Sequence, residues 1–336
     1  MRLTEREITQ AISFTGHDGL LNRDAVGWTR SQLHDTSGID GRKAWGRNKR
    51  WEYWSVIGER FMVSLTVSNI DYLGSQEVWV FDRETGAEHQ QTALVPFGRG
   101  VTLPPSLGGG RAHVKAGKLE IWIDPVEAGT RLAFRTPNVS GELIASRPDG
   151  QEHMGVVVPW SDRRFQYTVK DVALPTTGTL VIDGTGHQID AGGPAWGVLD
   201  HGRGRWPYDV AWNWAAGSGI VDGRRIGIQL GDKWTTGSGS TENCLFVDGR
   251  AHKISEELTW VYDTSDYLAP WRIHGELADL TFTPFHDKMT RTNVGVIQAK
   301  TDQCFGHWTG WMATDAGEKV RVDGAVGFAE DVHNRW

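Results

Sequence analysis

Between Trp196 and Asn243, acids, arginines, a histidine and tryptophans stand closer together than anywhere else in the chain. Asp200-His201 opens the group, followed by Arg203, Arg205, Trp206, Asp209, Trp212, Trp214, Trp234 and Glu242-Asn243. Histidine exchanges protons near neutral pH, and a carboxyl enclosed by aromatic rings holds its proton to higher pH because burial disfavours the charged form. Asp200 and His201 are therefore candidates for acid/base work, with Glu242 and Glu52 as further acids. Glu52 lies between Trp51 and Tyr53 in the first half of the chain. Trp206, Trp212, Trp214 and Trp234 can wall a pocket with large apolar rings carrying one N–H donor each. Asp209, Asn243 and His307 add polar groups that could orient a ligand. Arg203 and Arg205 match a carboxylate or phosphate by their forked geometry, or else neutralise Asp200 and Asp209. Each candidate has an ordinary alternative: a turn acid, a core histidine, an edge charge, a half-buried strand.

The elements that must position these groups read as β-strands. Trp51, Tyr53 and Ser55 alternate with Glu52, Trp54 and Val56, the period of a strand. Gly58-Glu59-Arg60 turns the chain, and Phe61 to Val67 returns as the partner. Val221-Asp222-Gly223-Arg224 and Val247-Asp248-Gly249-Arg250 are two copies of one hairpin turn, since Asp-Gly favours the positive φ of a type I′ turn. Useful helical periodicity is nearly absent; Glu5 to Ile12 is the one place where a turn or two of helix is expected. On a regular strand Asp200 and His201 face opposite ways. The glycines of Gly202-Arg203-Gly204 permit a break in the alternation, which predicts that both side chains reach the cavity bounded by Trp212 or Trp214. Asp190-Ala191-Gly192-Gly193-Pro194 is the expected division between a first unit (1–190) and a second (191–336) that carries the central group. In the polar lead-in, Trp28 and Trp45 are the expected anchors.

With 336 residues, 42 glycines and 17 tryptophans, the chain suits many tight turns and an aromatic-rich interior. A net charge of -7 without a basic cluster argues against nucleic acid as a partner. No apolar run reaches the length of a membrane span, and the charged N-terminus is no signal peptide. Cys244 and Cys304 show no metal spacing and fit a reduced compartment, one disulfide being the alternative. The expectation is a cytoplasmic monomer or homodimer that takes a small-molecule ligand. No phosphate loop, nucleophile elbow or dinucleotide fingerprint is present, and His201, His307 and His333 lack metal-binding spacing. No cofactor and no metal are expected.

Asp200-His201, Trp206-Pro207 and Trp212-Asn213-Trp214 resemble a segment of the lipocalin-like superfamily that contains carotenoid 1,2-hydratases, tocopherol cyclases and Diels–Alderases. The wider pattern is Trp51-Glu52-Tyr53-Trp54, Lys233-Trp234-Thr235, Thr241-Glu242-Asn243, Val247-Asp248-Gly249-Arg250 and Gly327-Phe328-Ala329-Glu330. It is similar to an uncharacterised bacterial and fungal family in the same neighbourhood. The resemblance implies an all-β fold of two lipocalin-like antiparallel barrel or sandwich units packed side by side. It also implies acid-catalysed chemistry in an aromatic pocket. The expected function is a cofactor-independent hydratase, dehydratase, isomerase or cyclase acting on a partly apolar molecule such as a terpenoid or polyketide. The alternatives are a glycoside hydrolase using paired carboxylates and a lipocalin-like binding protein without catalysis.

Overall fold

The computed structural model describes residues 1–40, 43–295 and 297–336. Two antiparallel sheets carry the chain, one of 14 strands and one of 10. The first runs in the order Ala87–Pro96, Leu73–Asp82, Phe61–Asn69, Asn48–Ile57, Ala195–Arg205, Phe165–Ile182, Val139–Ser146, Gly129–Arg135, Leu119–Val126, Ala112–Ala116 and Val101–Thr102. The second runs Arg250–Lys253, Cys244–Val247, Arg224–Asp232, Asp209–Val221, Val326–Arg335, Ile297–Ala313, Ala278–Val294, Trp271–His274 and Thr259–Val261. Each sheet curls around its own apolar core. Trp54, Val56, Leu65, Val80, Leu143 and Leu199 fill the first; Ile228, Leu245, Trp271, Phe282, Cys304 and Trp308 fill the second. A third core lies where the outer faces of the two sheets meet, with Ile57, Trp79, Val198, Trp214, Phe305 and Phe328. These are the two lipocalin-like units side by side.

The hairpin chemistry is as expected. Asp222-Gly223 and Asp248-Gly249 adopt positive φ (51° and 78°, 52° and 90°), the conformation a type I′ turn requires. Other expectations need correction. Glu5 to Ile12 forms no helix: Ile12–Ser13 is a short strand, and Glu7 bridges to Trp28. Trp28 is buried but Trp45 is 59 % exposed, so only the former anchors the lead-in. The chain does not change units at Asp190–Pro194. Ala195–Arg205 pairs with Asn48–Ile57 and Phe165–Ile182 inside the first sheet, and the crossing falls between Arg205 and Asp209. A Gly-rich turn marks where a strand ends, but it carries no information on which sheet the next strand joins. Cys244 and Cys304 are buried free thiols. Among the described residues no helix is long and apolar enough to cross a membrane.

Candidate functional site

The seam between the sheets opens into a cavity of about 310 Å³, at the small end of ligand pockets (~300–1,000 Å³). Its walls follow from strand register, because side chains paired across an antiparallel ladder share a face. On the first sheet one row runs Glu77–Thr66–Tyr53–Asp200–Lys170. On the second, the row Lys288–Gln303–Glu330–Trp214 lies opposite. The rows touch: Lys288 pairs with Glu77, Gln303 Nε2 lies 3.0 Å from the Tyr53 hydroxyl, and Lys170 Nζ sits 3.9 Å over the Trp214 ring. The next rows out are Ser68–Trp51–Gly202–Thr168 and Thr290–Thr301–Val332–Trp212.

Lys170 organises one end. Its ammonium lies 3.1 Å from Asp200 Oδ1 and 3.3 Å from Glu242 Oε2. Burial works against its charge, but Asp200 and Glu242 outweigh burial and hold its pKa above the usual lysine value. Asp200 also accepts bonds from Thr168 Oγ1 (2.7 Å) and Trp51 Nε1 (2.9 Å). Glu242 accepts from Trp234 Nε1 (2.5 Å) and Gln229 Nε2 (3.3 Å). Burial pushes Glu242 up to about 7 against the pull of Lys170.

Glu330 lies between the two lysines in the charge pattern. Burial pushes its carboxyl up to about 7, opposed by the Trp212 hydrogen bond and the Lys170 and Lys288 charges. Oε1 accepts from Trp212 Nε1 at 2.9 Å, and Oε2 accepts from Gln303 Nε2 at 2.9 Å. Gln303 Nε2 carries two N–H groups, one for Glu330 and one within 3.0 Å of the Tyr53 hydroxyl, whose own proton has Gln303 Oε1 as an acceptor at 3.2 Å. Tyr53 is in turn 3.1 Å from Ser64 Oγ. Among the described residues each Glu330 oxygen thus accepts one hydrogen bond and keeps a second lone-pair site on which a proton can sit.

The tryptophans pack around Trp206. Trp234 stacks on it at 5.5 Å, and Trp51, Trp160, Trp212 and Trp336 meet it edge-on at 5.0–6.0 Å. Its indole N–H donates to Gln166 Oε1. Trp51, Trp206, Trp212, Trp214, Trp234 and Trp336 all line the cavity.

The structure thus brings together Asp200, Glu242, Trp206, Trp212, Trp214 and Trp234, and it separates the rest. His201 does not reach the cavity. Ala195–Arg205 keeps an unbroken register with Asn48–Ile57 through Gly202 and Gly204, so alternation sends His201 to the other face. There its Nδ1 donates to Glu52 Oε1 at 2.9 Å. Burial and the Arg203 charge push His201 below the usual histidine range. The two glycines serve close approach instead: a Cβ at Gly202 would stand 2.1 Å from the Trp51 ring, and one at Gly204 2.1 Å from Gln166 Oε1. Glu52 lines a separate cavity of about 160 Å³ inside the first barrel.

Arg203 is buried against the Trp51 and Pro104 carbonyls, 3.6 Å from Glu52. Arg205 bonds to Asn48 and the Gly19 and Gly38 carbonyls. Neither arginine lines the cavity, and Asp200 and Asp209 pair with other groups. Asp209 instead pairs with His333 (2.6 Å) and Arg335 (2.8 Å) at the surface. Asn243 is a buried brace between Gly231 N and Glu256 O. His307 contacts Arg83 and Phe285 away from the cavity. Lys170, Lys288, Tyr53, Gln303 and Glu330 are cavity groups that sequence reasoning did not select. The one available signal was alternation, in Thr168/Lys170 and Phe328/Glu330. Alternation shows that such residues share a face, not which face is covered.

The fold is one of two curled, lipocalin-like antiparallel sheets, and solved structures similar to this chain share that fold. Kievitone hydratase from Nectria haematococca superposes with a TM-score of 0.53 at 11% identity, covering 100% of this chain and 98% of that one. A protein described as AttH from Nitrosomonas europaea gives 0.50 at 12%, covering 90% and 96%. CghA gives 0.50 at 12%, covering 86% and 88%. At these identities the likeness is one of fold. The chain belongs to the family described as a domain of unknown function, DUF2804, whose model matches residues 5–336. No curated protein matches the chain.

Proposed function

We propose that this protein is a cofactor-independent acid/base enzyme of the hydratase, dehydratase, isomerase or cyclase kind, acting on a partly apolar small molecule held between its two sheets. The observation that carries the reading is Glu330. It is a buried carboxyl raised to about 7, in the lining of a tryptophan-walled cavity, and each of its oxygens accepts one hydrogen bond and can still carry a proton. A catalytic acid works best when its pKa lies near the working pH. Glu330 transfers its carboxyl proton to an unsaturated carbon, forming a C–H bond and leaving a cation on the neighbouring carbon. The ring faces of Trp212 and Trp214 and the negative charge of Asp200 stabilise that cation. Addition of water, with its proton returning to Glu330, completes a hydration; loss of an adjacent C–H proton to Glu330 gives an isomer or a cyclised product. Lys170 anchors Asp200 and Glu242. The hydratase among the structural neighbours agrees with this class of chemistry.

The test is proton exchange. The purified protein is incubated in D2O with a panel of terpenoid and polyketide alkenes, and deuterium at carbon is followed by mass spectrometry. Wild type incorporates deuterium. Glu330→Gln loses about 10²-fold or more of the rate, the usual contribution of a positioned acid, while native mass spectrometry shows the ligand still bound. Unchanged incorporation in the variant overturns the assignment, and recovery of bound, unaltered ligand across the panel favours carriage without catalysis.

A further inference from the structure

The cavity is chemically two-sided, and this divides it along the sheets rather than by depth. The half against Ala195–Arg205 and Asp209–Val221 is tryptophan: Trp51, Trp206, Trp212, Trp214 and Trp234. The half formed by Phe61–Asn69 and the long hairpin of Ala278–Val294 with Ile297–Ala313 sets hydroxyls among smaller apolar side chains such as Ile297 and Ala299. Thr66, Thr290 and Thr301 line it, and Thr290 and Thr301 are direct cross-strand partners. None of the three side-chain hydroxyls has a hydrogen-bond partner among the described residues, whereas Thr168, on the tryptophan half, is spent on Asp200. Lys288 lies on the same hydroxyl-bearing half. An ammonium has three N–H donors; Lys288 gives one to Glu77, whose other oxygen is taken by Gln90. Polar groups in an enclosed wall that lack partners within the protein are available to a ligand, and leaving them unpaired once water is displaced is costly.

We infer that the substrate is an amphiphile whose flat, π-rich body lies among the tryptophans and whose oxygenated head, carrying a carbonyl or comparable acceptor, lies against Thr66, Thr290, Thr301 and Lys288. The inference rests on the reading of this cavity as the substrate site. It places the reacting carbon between body and head, because Glu330 stands in the row that joins Lys288 to Trp214.

The experiment uses two probes of nearly the same shape, 2-acetylnaphthalene and 2-ethylnaphthalene, which differ by the carbonyl oxygen. Binding to the full chain is measured by tryptophan fluorescence and calorimetry. The acetyl compound is expected to bind about five- to tenfold more tightly, the contribution of about one net hydrogen bond. In the double variant Thr290→Val/Thr301→Val, which keeps side-chain shape, the preference falls to within twofold while the ethyl compound binds as before. Thr66→Val alone serves if the double variant fails to fold. Equal affinity for the two probes, a preference that survives loss of the hydroxyls, or binding of neither probe overturns the inference. Glu330→Gln keeps the binding preference whether or not Glu330 is the acid, so failure here and failure of the deuterium test are separate results.

Discussion

Replacing Glu330 by Gln tests whether the fold stores a proton at the seam, independently of any substrate. The exchange is sterically neutral, and the surrounding hydrogen bonds can accept it. The new amide nitrogen would face the Gln303 amide nitrogen, now 2.9 Å from Oε2. A flip of Gln303 turns its oxygen toward residue 330 and its nitrogen toward Tyr53, which then donates to Ser64 at the present 3.1 Å. No bond is lost. The electrostatic consequence is larger. Glu330 has a folded-state pKa of about 7 against an ordinary 4.5. Between those values the folded chain holds a proton that the unfolded chain has released. Wild-type stability therefore falls as pH rises from 4.5 through 7, and is flat above. Each unit is worth about 1.4 kcal/mol, so the whole window amounts to about 3 kcal/mol. The variant lacks this term, while Glu242 acts with the same sign in both proteins and cancels. Urea unfolding of wild type and Glu330→Gln at pH 4.5, 6 and 8 should show the variant gaining about 3 kcal/mol on wild type across the range. A difference independent of pH would mean that Glu330 is already ionised in the folded chain, and would withdraw it as the acid.

Removing Lys170 should do the reverse. Lys170→Met leaves Asp200 and Glu242 buried without their cation, which costs about 3–5 kcal/mol for a broken buried pair; urea unfolding should show the full loss at pH 8 and a smaller one at pH 5, where Glu242, already pushed up to about 7 by burial, holds a proton. His201→Gln should lower the melting temperature and leave turnover per folded molecule unchanged, because His201 serves Glu52 and not the cavity; lost turnover with an intact melting temperature would contradict the placement. Gly202→Ala puts a methyl 2.1 Å from the Trp51 ring and should cost about 1–3 kcal/mol as overpacking, with the Trp51 bond to Asp200 broken and Trp51 emission shifted to the red. Unaltered stability and emission would show that Trp51 yields freely.

The strands and turns were legible in the chain itself. Alternation such as Trp51/Tyr53 against Glu52/Trp54 and turn pairs such as Asp222-Gly223 are local properties, set by steric limits on φ and by a side-chain period of two. The aromatic pocket was legible for the same reason: Trp212 and Trp214 share a face whatever lies opposite. Which face of Ala195–Arg205 meets the second sheet is not a local property. Asp200 and His201 are equally polar neighbours, and only pairing with Asn48–Ile57, far away in sequence, turns Asp200 to the seam and His201 to Glu52. The glycines beside them read as a licence to bend, whereas the packed structure uses them to admit Trp51 and Gln166. Lys170, Gln303 and Glu330 lie on three strands from distant parts of the chain. The pKa values of Lys170 and Glu330 arise from burial and from neighbouring charges, both created when the sheets meet. The sequence by itself determined the strands, their turns and the stock of tryptophans and acids. The tertiary structure decided which acids share a dry cavity, because desolvation and register act only between segments that folding brings together.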